Sequence, residues 1–134
     1  KGAVGAVIGY DEALSHLMQG GSDAILIPSR FEPCGQTQLY GLSYVTIHVV
    51  ARTGGLADTV IDANEAAIAA NCSTGVQFAP VTSPALYHAI ARTCDLFAQP
   101  RRWGGMMRRA MRHPVGWAPS AEAYREIYRT LTEA

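Results

Sequence analysis

The part of this sequence with chemistry in it is a short loop, Pro28-Ser29-Arg30-Phe31-Glu32-Pro33-Cys34-Gly35-Gln36-Thr37-Gln38. Pro33 biases Glu32 toward an extended backbone, which fixes the direction of its carboxylate. Gly35 lets the main chain approach a ligand with no Cβ in the way. Thr37 is placed to cap the helix that follows, whose free amides and positive dipole end suit a phosphate. A carboxylate beside an anion site is electrostatically awkward unless it faces something else. A sugar fits, because it offers hydroxyl donors and a transient positive charge at its anomeric carbon. Each feature also has a plainer reading, a solvated surface glutamate or an ordinary helix cap. Together on one loop they point to a sugar-phosphate site.

The flanking elements must position that loop. Residues Ala3 to Tyr10 are small and apolar, as a buried strand can be, with its centre at Val4 to Ile8. Asp11 and Glu12 open a helix through Met18, ended by Gly20-Gly21. Ala24 to Ile27 reads as a second strand, stopped by Pro28, and Thr37 to Tyr44 has helical content. Thr46 to Ala51 is a third strand, apolar and β-branched apart from His48, and Gly75 to Ala79 is a fourth. Apolar runs without alternation belong to strands covered on both faces, as in parallel sheets. Strands alternating with helices give an α/β fold, with the Glu32 loop at a strand's carboxyl end, where such sheets bind ligands. From Ser83 the chain turns helical. Leu86, Ile90, Cys94 and Phe97 share one face at helical spacing, as do Tyr124, Ile127, Tyr128 and Leu131, with Pro100, Pro114 and Pro119 as separators. The class is α/β, a partial doubly wound parallel sheet with a helical carboxy-terminal tail.

Composition agrees with one globular domain of 134 residues, 49% apolar and 16% charged. Eleven basic residues balance eleven acidic ones, which argues against a nucleic-acid partner. No apolar run is long enough to cross a bilayer. The amino terminus carries no secretory leader and looks cut into. Three widely spaced cysteines, Cys34, Cys72 and Cys94, form neither a CxxC pair nor a disulfide framework, so a reduced cytoplasmic protein is the simpler reading. His16, His48, His88 and His113 lack metal-ligand spacing and read as structural, and no cofactor is implied.

The runs Ser29 to Gly35, Thr37-Gln38-Leu39-Tyr40 and Ala51-Arg52-Thr53-Gly54-Gly55-Leu56-Ala57-Asp58-Thr59-Val60 closely resemble bacterial glycogen synthases and plant starch synthases. The likeness extends from Ile8-Gly9-Tyr10 past Trp117 and so covers essentially the whole chain. It implies that residues 1–134 are the carboxy-terminal, Rossmann-like donor-nucleotide domain of a two-domain GT-B glycosyltransferase, incomplete at its amino terminus. Enzymes of this family transfer glucose from ADP-glucose to the non-reducing end of an α-1,4-glucan, with retention and without a metal. By resemblance, Glu32 is the active-site glutamate, holding the donor glucose and favouring an oxocarbenium-like transition state. The backbone around Cys34 and Gly35 contacts the same sugar, Gln36 and Thr37 face the distal phosphate, and Tyr10 stacks on adenine. The residues alone support Glu32, Gly35 and Thr37, and leave ADP-glucose and UDP-glucose both open.

The resemblance also implies what is missing. The family's arginine and lysine at the donor phosphates, and its whole acceptor domain, lie in segments not found here. Negligible transferase activity is therefore expected of the chain alone, and a non-catalytic nucleotide- or glucan-binding remnant is the rival reading. A sucrose synthase relative is a third, disfavoured by Glu32 to Gly35 and Gly54 to Asp58. In the doubly wound order the chain begins at the third strand, so Val4 to Ile8 lacks neighbours. The family has glycine at Val45, proline at His48 and leucine at Gln36. A β-branched residue after a helix tolerates a left-handed backbone badly, so Val45 should carry strain. Gly104-Gly105 fall inside an expected helix. Arg101, Arg102, Arg108, Arg109 and Arg112 read as a solvated helix face. Trp103 should pack, and Trp117 should be exposed.

Overall fold

The β-branched run after Val45 forms the middle of the sheet. In a computed structural model that describes residues 2–113 and 115–133, the elements run α1 (Glu12–Gly21), β1 (Ala24–Ile27), α2 (Gln36–Ser43), β2 (Ile47–Ala51), α3 (Gly54–Thr59), α4 (Glu65–Ala69), β3 (Gly75–Phe78), α5 (Ser83–Phe97), α6 (Pro100–Arg112) and α7 (Trp117–Thr132). β2 lies between β1 and β3, and both pairings are parallel. Every residue of β2 is buried, because both faces of the sheet are covered. Ile47, Val49 and Ala51 pack with Val76, Phe78 and side chains of α5 and α6 such as Leu96 and Met106. Val50 packs on the other face with Ile27, Leu56 and Val60. Asp11 caps α1, its carboxylate accepting from the Leu14 amide at 2.9 Å.

Several expectations need correction. Val4 to Ile8 forms no strand, and Val4, Val7 and Ile8 are exposed. A strand requires a hydrogen-bonded neighbour, and β1 pairs only with β2. The buried face of α5 is Ala89, Thr93 and Leu96, with Leu86 packed against the core, while Ile90, Cys94 and Phe97 face out. Thr93 can be buried because its hydroxyl donates to the Ala89 carbonyl at 2.7 Å, so the true stripe is rotated from the one marked by large apolar residues. On α7 no residue is buried, and Tyr124, Ile127, Tyr128 and Leu131 are exposed. Pro119 lies within the first turn of α7, where its missing N–H costs nothing, while Pro100 opens α6. Pro114 lies outside the described residues. Trp103 is buried edge-on to Phe97 and Trp117 is exposed, both as expected.

Two features beside and within β2 carry a cost. Val45 sits between α2 and β2 at φ 68°, in the left-handed region that β-branched residues resist. His48, on β2, is fully buried, and neither ring nitrogen has a hydrogen-bond partner among the described residues. Its ring fills the space over Gly41, where an added Cβ would lie 2.1 Å from Nε2. Desolvation by burial pulls the His48 pKa from 6.5 down to about 4.

Val45→Gly should stabilise the fold by about 1 kcal/mol, read as a higher melting midpoint. Below pH 6.5 the unfolded chain takes up a proton at His48 that the folded chain refuses. Stability should therefore fall by about 3 kcal/mol between pH 6.5 and 4, in denaturant titrations, and a His48→Phe variant should lose that slope.

Candidate functional site

The Glu32 loop leaves the carboxyl end of β1 and runs directly into α2. Glu32 is half-buried, and its carboxylate is tethered at both oxygens. Oε1 accepts from the Gly35 amide at 3.1 Å, and Oε2 from the Ser29 hydroxyl at 3.4 Å. The amide bond closes a tight turn across Pro33 and Cys34, so the carboxylate is held at the mouth of α2. Each oxygen keeps lone-pair capacity for a further donor, such as a sugar hydroxyl.

The loop is braced from outside by the residues that follow β2. The Gly55 amide donates to the Glu32 carbonyl at 3.2 Å. Gly54 is left-handed at φ +45°, and a Cβ there would lie 1.8 Å from the Glu32 carbonyl oxygen. A Cβ on Gly55 would lie 2.5 Å from the Cys34 carbonyl oxygen. Only a glycine pair allows the start of α3 to approach the loop this closely. From inside, the fully buried Gln38 amide lies under Gly35, where a Cβ would meet its Oε1 at 2.2 Å. Its Nε2 donates to the Thr59 hydroxyl, which donates to the Gly55 carbonyl at 2.5 Å. Gln38, Gly54, Gly55 and Thr59 are thus supporting residues that sequence reasoning leaves without a role. The signal was present in the Gly-Gly pair directly after a buried strand.

The other candidates fall around this core. Gly35, and not Thr37, is the N-cap of α2, with φ 71° and no side-chain cap bond. That corrects the capping role expected of Thr37, because the left-handed Gly35 already turns the chain into the helix. Gln36 and Thr37 are exposed in its first turn, where helix amides lack internal partners. Thr37 lines a crevice of about 280 Å³ with Val7, Gly9 and Asp11. Tyr10 is 91% exposed beside that crevice, with its ring unpacked. Cys34 is an exposed thiol at the turn. The crevice thus joins Thr37, in the first turn of α2, to the residues flanking Tyr10, while the Glu32 carboxylate is held at the start of the same helix. Among the described residues no cluster of three His, Cys, Asp or Glu side chains could hold a metal.

No protein-family model matches the chain. The glycogen synthase of Roseobacter denitrificans is 77% identical over 130 residues, covering 97% of this chain. Those of Mesorhizobium japonicum and Cereibacter sphaeroides are 61% and 60% identical over 131 and 130 residues, covering 98% and 97%. The chain spans 27% of the length of each of these curated relatives. Among solved structures, the catalytic domain of starch synthase IV from Arabidopsis thaliana, bound to ADP and acarbose, superposes with a TM-score of 0.82 at 32% identity, over 96% of this chain and 26% of that one. Sucrose-phosphate synthase from Thermosynechococcus elongatus shares the fold, with a TM-score of 0.61 at 23% identity over 95% of this chain and 30% of that one.

Gly54→Ala should lower stability by about 1–3 kcal/mol and displace the loop, seen as faster exchange of the Gly35 amide. Gly5→Ala, with nothing within 4 Å of its Cβ, should leave both unchanged.

Proposed function

From homology to glycogen synthases along nearly its whole length, we propose that this chain builds much of the sugar-nucleotide donor site of a retaining glucosyltransferase. The reaction is transfer of glucose from ADP-glucose to the non-reducing end of an α-1,4-glucan. One observation carries the reading: the Glu32 carboxylate is fixed at the start of α2, at the carboxyl edge of a parallel sheet. There it can hold the glucose hydroxyls and oppose the positive charge that develops at the anomeric carbon as the glycosidic bond to phosphate breaks. The main chain at Cys34 and Gly35 lies against the same sugar. Gln36 and Thr37 present the first turn of α2 to the distal phosphate, where free amides and the helix dipole favour an anion. Tyr10, exposed beside the Thr37 crevice, is available to stack on the base. An ADP-bound starch synthase of the same fold supports a nucleoside diphosphate in this position.

In this reading residues 1–134 belong to the carboxy-terminal domain of a GT-B enzyme, and the cations that neutralise the leaving diphosphate come from outside them. A cytoplasmic setting is part of the proposal, in line with three free, exposed cysteines.

The test is a transplant. This chain replaces its counterpart in the Roseobacter denitrificans glycogen synthase, and glucose incorporation into glycogen is followed. The hybrid should be active and prefer ADP-glucose to UDP-glucose. Glu32→Gln should lower kcat about a hundredfold or more with the fold intact. A folded hybrid that is inactive, or indifferent to Glu32→Gln, would leave the remnant reading standing instead. The isolated chain should show no transfer.

A further inference from the structure

Four of the five arginines of α6 line a concavity of about 420 Å³ on the far side of the sheet from Glu32. Ser73 on its rim precedes β3, whereas the Glu32 loop follows β1, and parallel strands put these at opposite edges. We propose that this concavity is a second site, binding a compact polyanion with two or more phosphate charges. Arg101, Arg102, Arg108 and Arg109 line it together with Asn71 and Ser73, and no acidic side chain does. None of the four guanidinium groups forms an ion pair among the described residues, where the pairs are made by Arg92, Arg125 and Arg129. Four unneutralised cations around one hollow is uneven for a chain of zero formal net charge.

The hollow is also built at a cost to the helix that walls it. Arg101 and Arg102 lie in the first turn of α6, where the dipole is already positive and cations are disfavoured unless an anion sits there. Gly105, mid-helix, weakens α6. A Cβ at that position would lie 3.1 Å from Arg109 Nη1, so the glycine leaves room for that guanidinium to fold back along the helix. Arg109 is then fixed, its Nε donating to the Ser73 carbonyl at 2.9 Å and its Nη2 to the Ser73 hydroxyl at 3.1 Å. Guanidinium forks match phosphate oxygens in pairs, and four of them exceed what a single phosphate can use. No aromatic side chain lines the hollow, so it lacks the stacking platform that a single-stranded nucleic acid needs.

The experiment is calorimetric titration of the chain with pyrophosphate, inorganic phosphate and ribose 1,5-bisphosphate, each sample checked for folding by circular dichroism. Pyrophosphate should bind saturably and more tightly than phosphate, and the ribose bisphosphate arm tells a free polyphosphate from an esterified one. The double variant Arg102→Ser/Arg108→Ser should weaken binding about tenfold or more, while Arg125→Ser, on α7, should not. Absence of saturation, unchanged affinity in the folded double variant, or binding of a single-stranded RNA oligomer without pyrophosphate would each overturn the site.

Discussion

Two stretches of main chain touch where β1 and β2 end, and the site depends on that contact. The Glu32 and Cys34 carbonyls rest against Gly54 and Gly55 at a separation that leaves no room for a methyl group. A carboxylate on a free loop would sample many directions and lose most of its value to a transition state. Here the loop is restrained from three sides: by the Gly55 amide, by the Gln38 amide beneath Gly35, and by its own closing bond from Gly35 to Glu32. The parallel sheet supplies the geometry, since adjacent strands must deliver their carboxyl ends side by side. The site is thus a consequence of register as much as of residue type.

How much of this was legible follows from which signals are local. β1, β2 and β3 are apolar runs bounded by turn residues, and such runs report burial on two faces wherever they fall in the chain. Glu32 and Gly35 could be read because Pro33 and a helix start act on their immediate neighbours. The brace from Gly54 and Gly55 was not, because it joins segments about twenty residues apart and its meaning is a distance. The capping role expected of Thr37 fails for a related reason. Capping depends on which residue turns left-handed, and Gly35 takes that position two residues earlier. The strand expected over residues 4–8 shows the limit of composition, since apolar content supplies the wish for burial but never the hydrogen-bonding partner.

The departures at Val45 and His48 are near neighbours: Val45 lies between α2 and β2, where the chain must reverse from a helix into the central strand, and His48 lies just inside β2. The left-handed backbone at Val45 is what that reversal needs, whatever residue occupies it. His48 is then the second residue of the central strand, with Gly41 above it and no polar partner for its ring. The surrounding packing over-determines both, as strained positions require. Ile47 and Val49 on either side are buried, so the strand stays in place although its polar member is unsatisfied.

An anionic carboxylate and a cluster of guanidinium groups on one small domain would ordinarily compromise each other. The sheet keeps them apart. Strands of four to five residues separate its two edges by roughly 15 Å, at about 3.3 Å per residue. That exceeds the screening length of about 8 Å at physiological ionic strength. The arginines of α6 therefore cannot serve a phosphate of the kind proposed beside Glu32, and the Glu32 loop does not neutralise them. Each edge must find its counter-charge separately, and for the arginine-lined edge the chain itself offers none among the described residues.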